Sequence, residues 1–342
     1  MATSLSAANV IHLVNPLSDD TGGADWRTIE TWRLLKGYFP TRLWSEYRPA
    51  PKFAENYPVQ RIVPWRFAFP RGGTLVFVGT YFRIGHWVRF AAPRRVALIY
   101  NTLQPDRLRK NLRRIASCGR TAEVVYTSLA LRQREQGHGP ILQSPIDLAR
   151  FAYHVRDRRR PFTVGRFSRD IASKHHPDDV ALWRALAAEG MRVRIMGGTC
   201  LAHALGDIPN IELLPAGAED PVSFLQSLDC FLYRTADSWF EAFGRVVFEA
   251  MATGLPVVCG EHGGYAEALT AGRDALVFSR HAEALAAVRG LRDQPDYARD
   301  LGAQARRTTV SLNCELPRRT LELLAPPATM LYLQSADGCT RW

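Results

Sequence analysis

Two carboxylates, Glu241 and Glu249, stand eight residues apart in the stretch from Trp239 to Glu267. Between and after them, Arg245 to Met251 read as a buried helix, and Gly254 and Pro256 supply the usual punctuation at its C-terminal end. Pro256 to Cys259 is a short apolar run of the kind found in a strand covered on both faces, and Gly260 to Gly264 is a turn. A helix that starts just beyond a strand points backbone N–H groups at whatever lies above the sheet, which favours an anion. The flanking carboxylates cannot serve a phosphate. They suit sugar hydroxyls, which donate hydrogen bonds to ionised acceptors. Taken singly, Glu241 also reads as a helix-start carboxylate and Glu249 as a solvated helix position.

The chain around this stretch alternates strands and helices. Val10 to Val14 is a first strand, followed by a loop with Gly22 and Gly23 and a helix from Asp25 to Lys36. Further strands fall at 41–45, 73–79, 95–100 and 123–128, and Pro105 to Ala116 is a strongly basic helix whose apolar side reads as core-facing. The pattern restarts with a strand at Phe162 to Gly165 and continues with strands at 193–196, 211–214 and 229–233. Repetition of this kind predicts an α/β fold with parallel sheets. The 342 residues suffice for two full cores, and the run Arg156 to Pro161 marks a boundary between a domain at 1–158 and another at 159–342. The tail from Pro326 to Trp342 shows no periodicity, and no closing helix is evident.

Charge is uneven. Residues 1–158 hold 24 Lys and Arg against 11 Asp and Glu, whereas residues 159–342 hold 20 against 22, so the net +11 belongs to the first half. A basic surface there would face anionic lipid headgroups, a phosphate-bearing acceptor or nucleic acid; a generally Arg-rich chain with solvated charges gives the same count. Six widely spaced cysteines form no C-x-x-C pair, which argues for a reducing compartment and against a zinc site. There is no secretory signal pattern and no apolar stretch near the roughly 20 residues needed to span a bilayer, so a soluble or peripheral cytoplasmic protein is expected.

With its segments in order, the stretch from Glu241 resembles the E-x7-E signature of group 1 (family 4-like, retaining) GT-B glycosyltransferases. Their A-x-x-x-G-x-P-V-V segment is matched by the run that ends Gly254-Leu255-Pro256-Val257-Val258, and their G-G-x-x-E segment by Gly263, Gly264 and Glu267. The resemblance runs from about Phe162 to Phe278. It implies two Rossmann-like domains facing each other across a cleft, the first on the acceptor side and the second holding a nucleotide-diphospho-sugar donor. It also implies that Arg166, in the pair Gly165-Arg166, and Lys174 hold the donor diphosphate, with Arg169 as a substitute cation and help from amides at Gly244, Arg245 and Val246. Glu241, with the backbone of Ala242, Phe243 and Gly244, would hold the transferred sugar, and Glu249 the ribose. Arg166, Lys174 and Glu241 form the expected catalytic set.

In the first domain Gly22, Gly23, His86 and Asn101 are the candidate cleft contacts. By themselves the glycines read as a tight turn and His86 as a surface histidine, while Asn101 stands where family members often have a histidine. The resemblance implies hexosyl transfer with retention to a glycan or lipid-linked acceptor, in cell-surface polysaccharide synthesis. The site would be at the inner face of the membrane, with anionic lipid contact and no nucleic-acid partner. No cofactor is expected, and without a D-x-D pair no metal either. A nucleotide-sugar epimerase, a sugar phosphorylase and a non-catalytic membrane or nucleic-acid adaptor on the same scaffold remain open alternatives.

Overall fold

The computed structural model describes residues 10–156 and 161–325. Most of the basic run expected at the domain boundary, and the tail from Pro326, lie outside the described residues. The chain divides into two compact units.

The first unit holds strands β1 (Ile11–Val14), β2 (Thr41–Ser45), β3 (Val59–Arg61), β4 (Thr74–Val78), β5 (Arg95–Tyr100) and β6 (Glu123–Tyr126). They form one sheet in the order β3-β2-β1-β4-β5-β6, parallel throughout. Its helices are α1 (Gly23–Leu35), α2 (Pro51–Asn56), α3 (Val88–Ala91), α4 (Pro105–Ser117) and α5 (Leu129–Arg134). β1 and β4 are buried at every position, the condition in which a parallel strand reads as an unbroken apolar run instead of an alternation. In register, Leu13 lies between Leu43 and Val76, and Ile29, Leu34 and Leu35 of α1 join the core that these strands build.

The second unit repeats the plan with β7 (Thr163–Phe167), β8 (Arg192–Met196), β9 (Ile211–Leu214), β10 (Cys230–Tyr233), β11 (Val257–Gly260) and β12 (Leu276–Phe278). The sheet order is β12-β11-β10-β7-β8-β9, again all parallel. Its helices are α6 (Asp179–Ala188), α7 (Ala202–Leu205), α8 (Pro221–Gln226), α9 (Arg245–Ala252), α10 (His281–Asp293) and α11 (Pro295–Leu324). Each sheet therefore has the doubly wound order in which the winding reverses once, between β1 and β4 in the first unit and between β7 and β10 in the second. Ligands of such sheets bind outside the carboxyl ends of the strands at that reversal.

The division of the chain differs from the expected boundary at 158/159. The first unit runs to Pro145 and resumes at Cys314, and the second spans Ile146 to Asn313. Packing explains the shift. Ile146 and Phe151 sit in the core of the second unit, and the Asn313 side chain both accepts from the Ile146 amide at 3.1 Å and donates to its carbonyl at 2.7 Å. The basic run at Arg156 thus falls within the second unit. Beyond α10 the chain forms one 30-residue helix, α11, that passes Pro317. Its residues Ala305 and Leu312 pack in the second core and Leu316, Leu321 and Leu324 in the first. That split of apolar positions between two cores is why the helix leaves no single stripe in the sequence.

Candidate active site

β7 and β10, the strands at the reversal of the second sheet, deliver the two loops that carry most of the expected residues. The sequence placed Arg166 in the loop after a strand ending at Gly165. Instead the strand continues through Phe167, and Arg166 lies inside it beside Ile195 of β8. It is fully buried. Nη1 donates to the Arg234 carbonyl and Nη2 to the Lys174 carbonyl, each at 2.5 Å, and the guanidinium lies 4.6 Å from the centroid of the Tyr233 ring. Burial depresses its pKa, and the neighbouring Tyr233 and Asp179 oppose that, so the group, far above neutrality to begin with, keeps its charge. Two of its donors tie the loop after β7 to the loop after β10, while its Nε has no hydrogen-bond partner among the described residues.

Gly165 is required for that arrangement. A Cβ at this position would stand 2.4 Å from the Arg194 carbonyl oxygen and 2.8 Å from Leu228 Cδ2. Because the first obstacle is backbone of the adjoining strand, Gly165→Ala is expected to lower stability by about 1–3 kcal/mol, measured by urea unfolding. A midpoint equal to that of the wild type would contradict the packing.

Lys174 closes a short turn at 172–174, and its ammonium forms an ion pair with Glu241 Oε2. The Tyr233 hydroxyl donates to the same oxygen at 2.8 Å. The two charged side chains are only 10% and 16% exposed, so the attraction between them is weakly screened. Burial by itself would raise the Glu241 carboxyl; the Lys174 charge and the hydrogen bonds from Lys174 and Tyr233 outweigh it and hold the group below the usual carboxylate range. Trp239 stands between two cations, with Lys174 Nζ 4.7 Å and Arg169 Cζ 5.1 Å from its ring centroid. His175 is buried and its Nε2 contacts the Gly197 carbonyl at 2.8 Å. Burial and the nearby Arg166 charge bring its pKa to about 4, so it is neutral.

Beyond Glu241 the chain must turn into α9, and Gly244 makes the turn at φ +74°. A Cβ there would be 2.6 Å from Tyr265 Cδ1, so both backbone and space call for glycine. The Glu241 carbonyl accepts from the Gly264 amide at 2.7 Å, which fastens the glycine turn after β11 to the carboxylate loop. Ala242 and Phe243 are buried, Phe243 stacking on Phe248 at 4.7 Å. α9 begins at Arg245, directly after that turn. Glu249 is buried on the same helix and accepts from Arg245 Nη2 at 2.9 Å, so it is not a solvated helix position. The structure thus brings Lys174, Arg169 and Glu241 together, places Gly165 and Arg166 beneath them as supports, and pairs Glu249 with Arg245.

Sequence reasoning missed Tyr233, Trp239 and the buried pair Arg234–Asp179. Tyr233 and Arg234 had a usable signal, since Tyr233 ends the strand that delivers Glu241 and Arg234 directly follows it.

The candidates in the first unit are carried by three different segments. Gly22 and Gly23 start α1, where a Cβ on Gly22 would lie 2.7 Å from Asp25 Oδ2. Asn101 follows β5, and its buried Oδ1 has no hydrogen-bond partner among the described residues. His86 is exposed and its Nδ1 lies 3.0 Å from Arg114 Nη1 on α4. At the reversal of this sheet the structure reveals a buried network instead: Asn15 Nδ2 donates to the Val78 carbonyl at 2.7 Å and to Tyr81 Oη at 2.9 Å, and Tyr81 Oη donates to Asp25 Oδ2 at 2.9 Å. Burial raises the Asp25 pKa to about 7, with the Tyr81 bond working against it and the Asp19 charge adding to it.

Comparison with known proteins agrees with this architecture. Residues 171–308 match the family described as glycosyl transferases group 1. A segment of 100 residues is 37% identical to D-inositol 3-phosphate glycosyltransferase 2 of Catenulispora acidiphila, covering 26% of this chain and 23% of that protein. The match thus spans about a quarter of the curated relative. Among solved structures, HepE from Anabaena in complex with UDP and glucose has a TM-score of 0.69 at 16% identity, over 91% of this chain and 99% of that one. WaaG, a glycosyltransferase involved in lipopolysaccharide biosynthesis, has a TM-score of 0.65 at 12% identity, over 92% and 99%. Sucrose-phosphate synthase from Thermosynechococcus elongatus gives 0.67 at 15%, over 92% and 98%. The two doubly wound parallel sheets are those of the GT-B fold, and within the second unit residues 171–308 are similar to the group 1 glycosyl transferases.

Proposed function

We propose that this protein transfers a sugar from a nucleotide-diphospho-sugar to a glycan or lipid-linked acceptor with retention of configuration. The observation that carries the proposal is the buried Lys174–Glu241 pair at the winding reversal of the second sheet, beside the N-terminus of α9. A cation, a carboxylate and a helix start at one crevice suit the three parts of such a donor. The α9 amides and Lys174 face the diphosphate, helped by Arg169, and Glu241 accepts from sugar hydroxyls as Lys174 turns toward the phosphates. Arg245 leaves Glu249 for solvent or phosphate, and Glu249 then accepts from the ribose. Arg166 acts as a positioning residue through the Lys174 and Arg234 carbonyls, adding positive potential from below. Negative charge grows on the leaving phosphate as the glycosidic bond breaks, which these cations stabilise. That phosphate takes the acceptor's proton on the same face, so no separate base is required. The HepE structure, described as a complex with UDP and glucose, supports a uridine donor as the first to try.

Incubating the protein with labelled nucleotide-sugars and a mixture of glycan and lipid-linked acceptors tests the proposal. Labelled product with the donor's anomeric configuration is expected. Isomerised donor without transfer would point to an epimerase and overturn it. Because the charge on the leaving group is assigned to side chains and amides, turnover is expected to change by less than twofold in EDTA; collapse of activity there, restored by a divalent ion, would contradict that assignment. Among the described residues no helix is long and apolar enough to cross a membrane, so a lipid-linked acceptor would be met at a membrane surface.

A further inference from the structure

The first unit carries a second candidate ligand site, formed where the loop after β4 meets α4. A concavity of about 770 Å³ is lined there by Thr80, Phe82 and Asn111 together with Arg83, Arg107, Lys110, Arg113 and Arg114. Five cations and no carboxylate face one cavity. Like charges gathered this way repel one another, and the usual relief, an acidic neighbour, is absent from the lining: Arg83, Lys110 and Arg113 form no ion pair among the described residues. Arg109, on the same helix but outside the lining, is by contrast paired with Asp106 at 2.7 Å.

The walls are held in place independently of any ligand. The Asn111 amide donates to the Thr80 and Phe82 carbonyls at 3.2 and 3.3 Å, fixing α4 to the loop. Arg107 Nη1 donates to the Tyr81 carbonyl at 2.5 Å, and Arg114 is braced by His86, which gives that histidine a supporting place here. Thr80 is 1% exposed, lines the cavity, and its hydroxyl has no hydrogen-bond partner among the described residues. A buried hydroxyl left without a partner is costly. An anion with several acceptor oxygens would answer the five cations that line the cavity.

We propose that this cavity binds a phosphate-bearing group, a phosphomonoester or diphosphate. The chemistry favours phosphate over a single carboxylate: guanidinium forks match its oxygens in pairs, and its charge of −1.5 to −2 per monoester answers several cations at once. The volume lies within the range of ordinary small-ligand pockets and leaves room for an organic portion against Phe82 and the arginine stems. The inference stands on the first unit alone and does not rest on the donor site of the second.

Calorimetric titration of inorganic pyrophosphate into the wild-type chain, Lys110→Gln/Arg113→Gln, Arg109→Gln and Lys174→Met/Glu241→Gln tests it. Lys110 and Arg113 are exposed, and a thermal melt equal to wild type confirms the fold of each variant. Binding to the cavity is expected in wild type, in Arg109→Gln and in Lys174→Met/Glu241→Gln, and a loss of at least tenfold in affinity in Lys110→Gln/Arg113→Gln, with a shallower salt dependence. Loss in Lys174→Met/Glu241→Gln alone, with Lys110→Gln/Arg113→Gln titrating like wild type, would place all pyrophosphate binding in the second unit and overturn the proposal, as would no binding at all. Sedimentation with phosphatidic acid vesicles, against phosphatidylcholine vesicles, separates the sources. Pyrophosphate-sensitive sedimentation identifies a lipid headgroup, and its absence alongside pyrophosphate binding identifies a soluble ligand.

Discussion

Replacement of Lys174 by methionine is expected to lower folding stability by about 3–5 kcal/mol and to remove donor binding. The first effect follows from leaving one charge of a buried pair without its partner. Glu241 would keep only the Tyr233 hydroxyl, and its carboxyl, now dominated by burial, would shift upward from its depressed value. The pH dependence changes accordingly. A carboxyl whose folded pKa lies below its unfolded value contributes stability above the unfolded pKa and loses it as pH falls through the folded one. Wild type therefore carries this contribution at neutral pH and loses it in acid, and the single variant lacks it throughout. The double variant Lys174→Met/Glu241→Gln separates folding from binding, because removing both charges leaves nothing uncompensated. It should recover most of the stability, read as the urea midpoint, while donor affinity stays at least tenfold below wild type. Recovery of both would show that the pair serves the fold and not the ligand.

The second large effect concerns Asp25. Burial lifts its carboxyl to about 7, so the folded protein holds a proton that the unfolded chain releases near pH 4. A group raised in the folded state contributes stability that is complete below its unfolded pKa and is lost as pH rises through its folded pKa. Between pH 4 and pH 8 wild type should lose on the order of 4 kcal/mol from this residue, and Asp25→Asn, which keeps the shape and an acceptor for Tyr81, should not. The expected result is a crossing of the two stability curves, with the variant the more stable at pH 8. Parallel curves across that range would show that Asp25 is ionised in the folded protein at neutral pH.

How far the sequence could carry the account depended on whether a residue's role was local. Glu241, Gly244, α9 and Gly254 sit within one continuous strand-to-helix segment, and each is placed by neighbours a few residues away, so local spacing together with the family resemblance exposed them. Arg166 was identified but misplaced, because only the partner strand β8 shows that β7 runs two residues further and buries it. Lys174 could be named but not paired, since Glu241 lies 67 positions away in sequence. Asp25, Tyr81 and Asn15 are ordinary residues until the β1–β4 reversal gathers them. The domain boundary and α11 were illegible for a related reason: a helix shared between two cores shows neither core's full periodicity. The basic count of the first half was visible at once, whereas its concentration on one cavity needed α4 and the β4 loop side by side.

The most direct test of the account is a calorimetric panel of UDP, GDP and ADP with wild type and with Lys174→Met/Glu241→Gln. One of the diphosphates should bind wild type, and its affinity should fall at least tenfold in the double variant while the melting temperatures of the two proteins stay within a few degrees. If the best nucleotide binds the double variant as tightly as wild type, the crevice at the β7–β10 reversal is not the donor site.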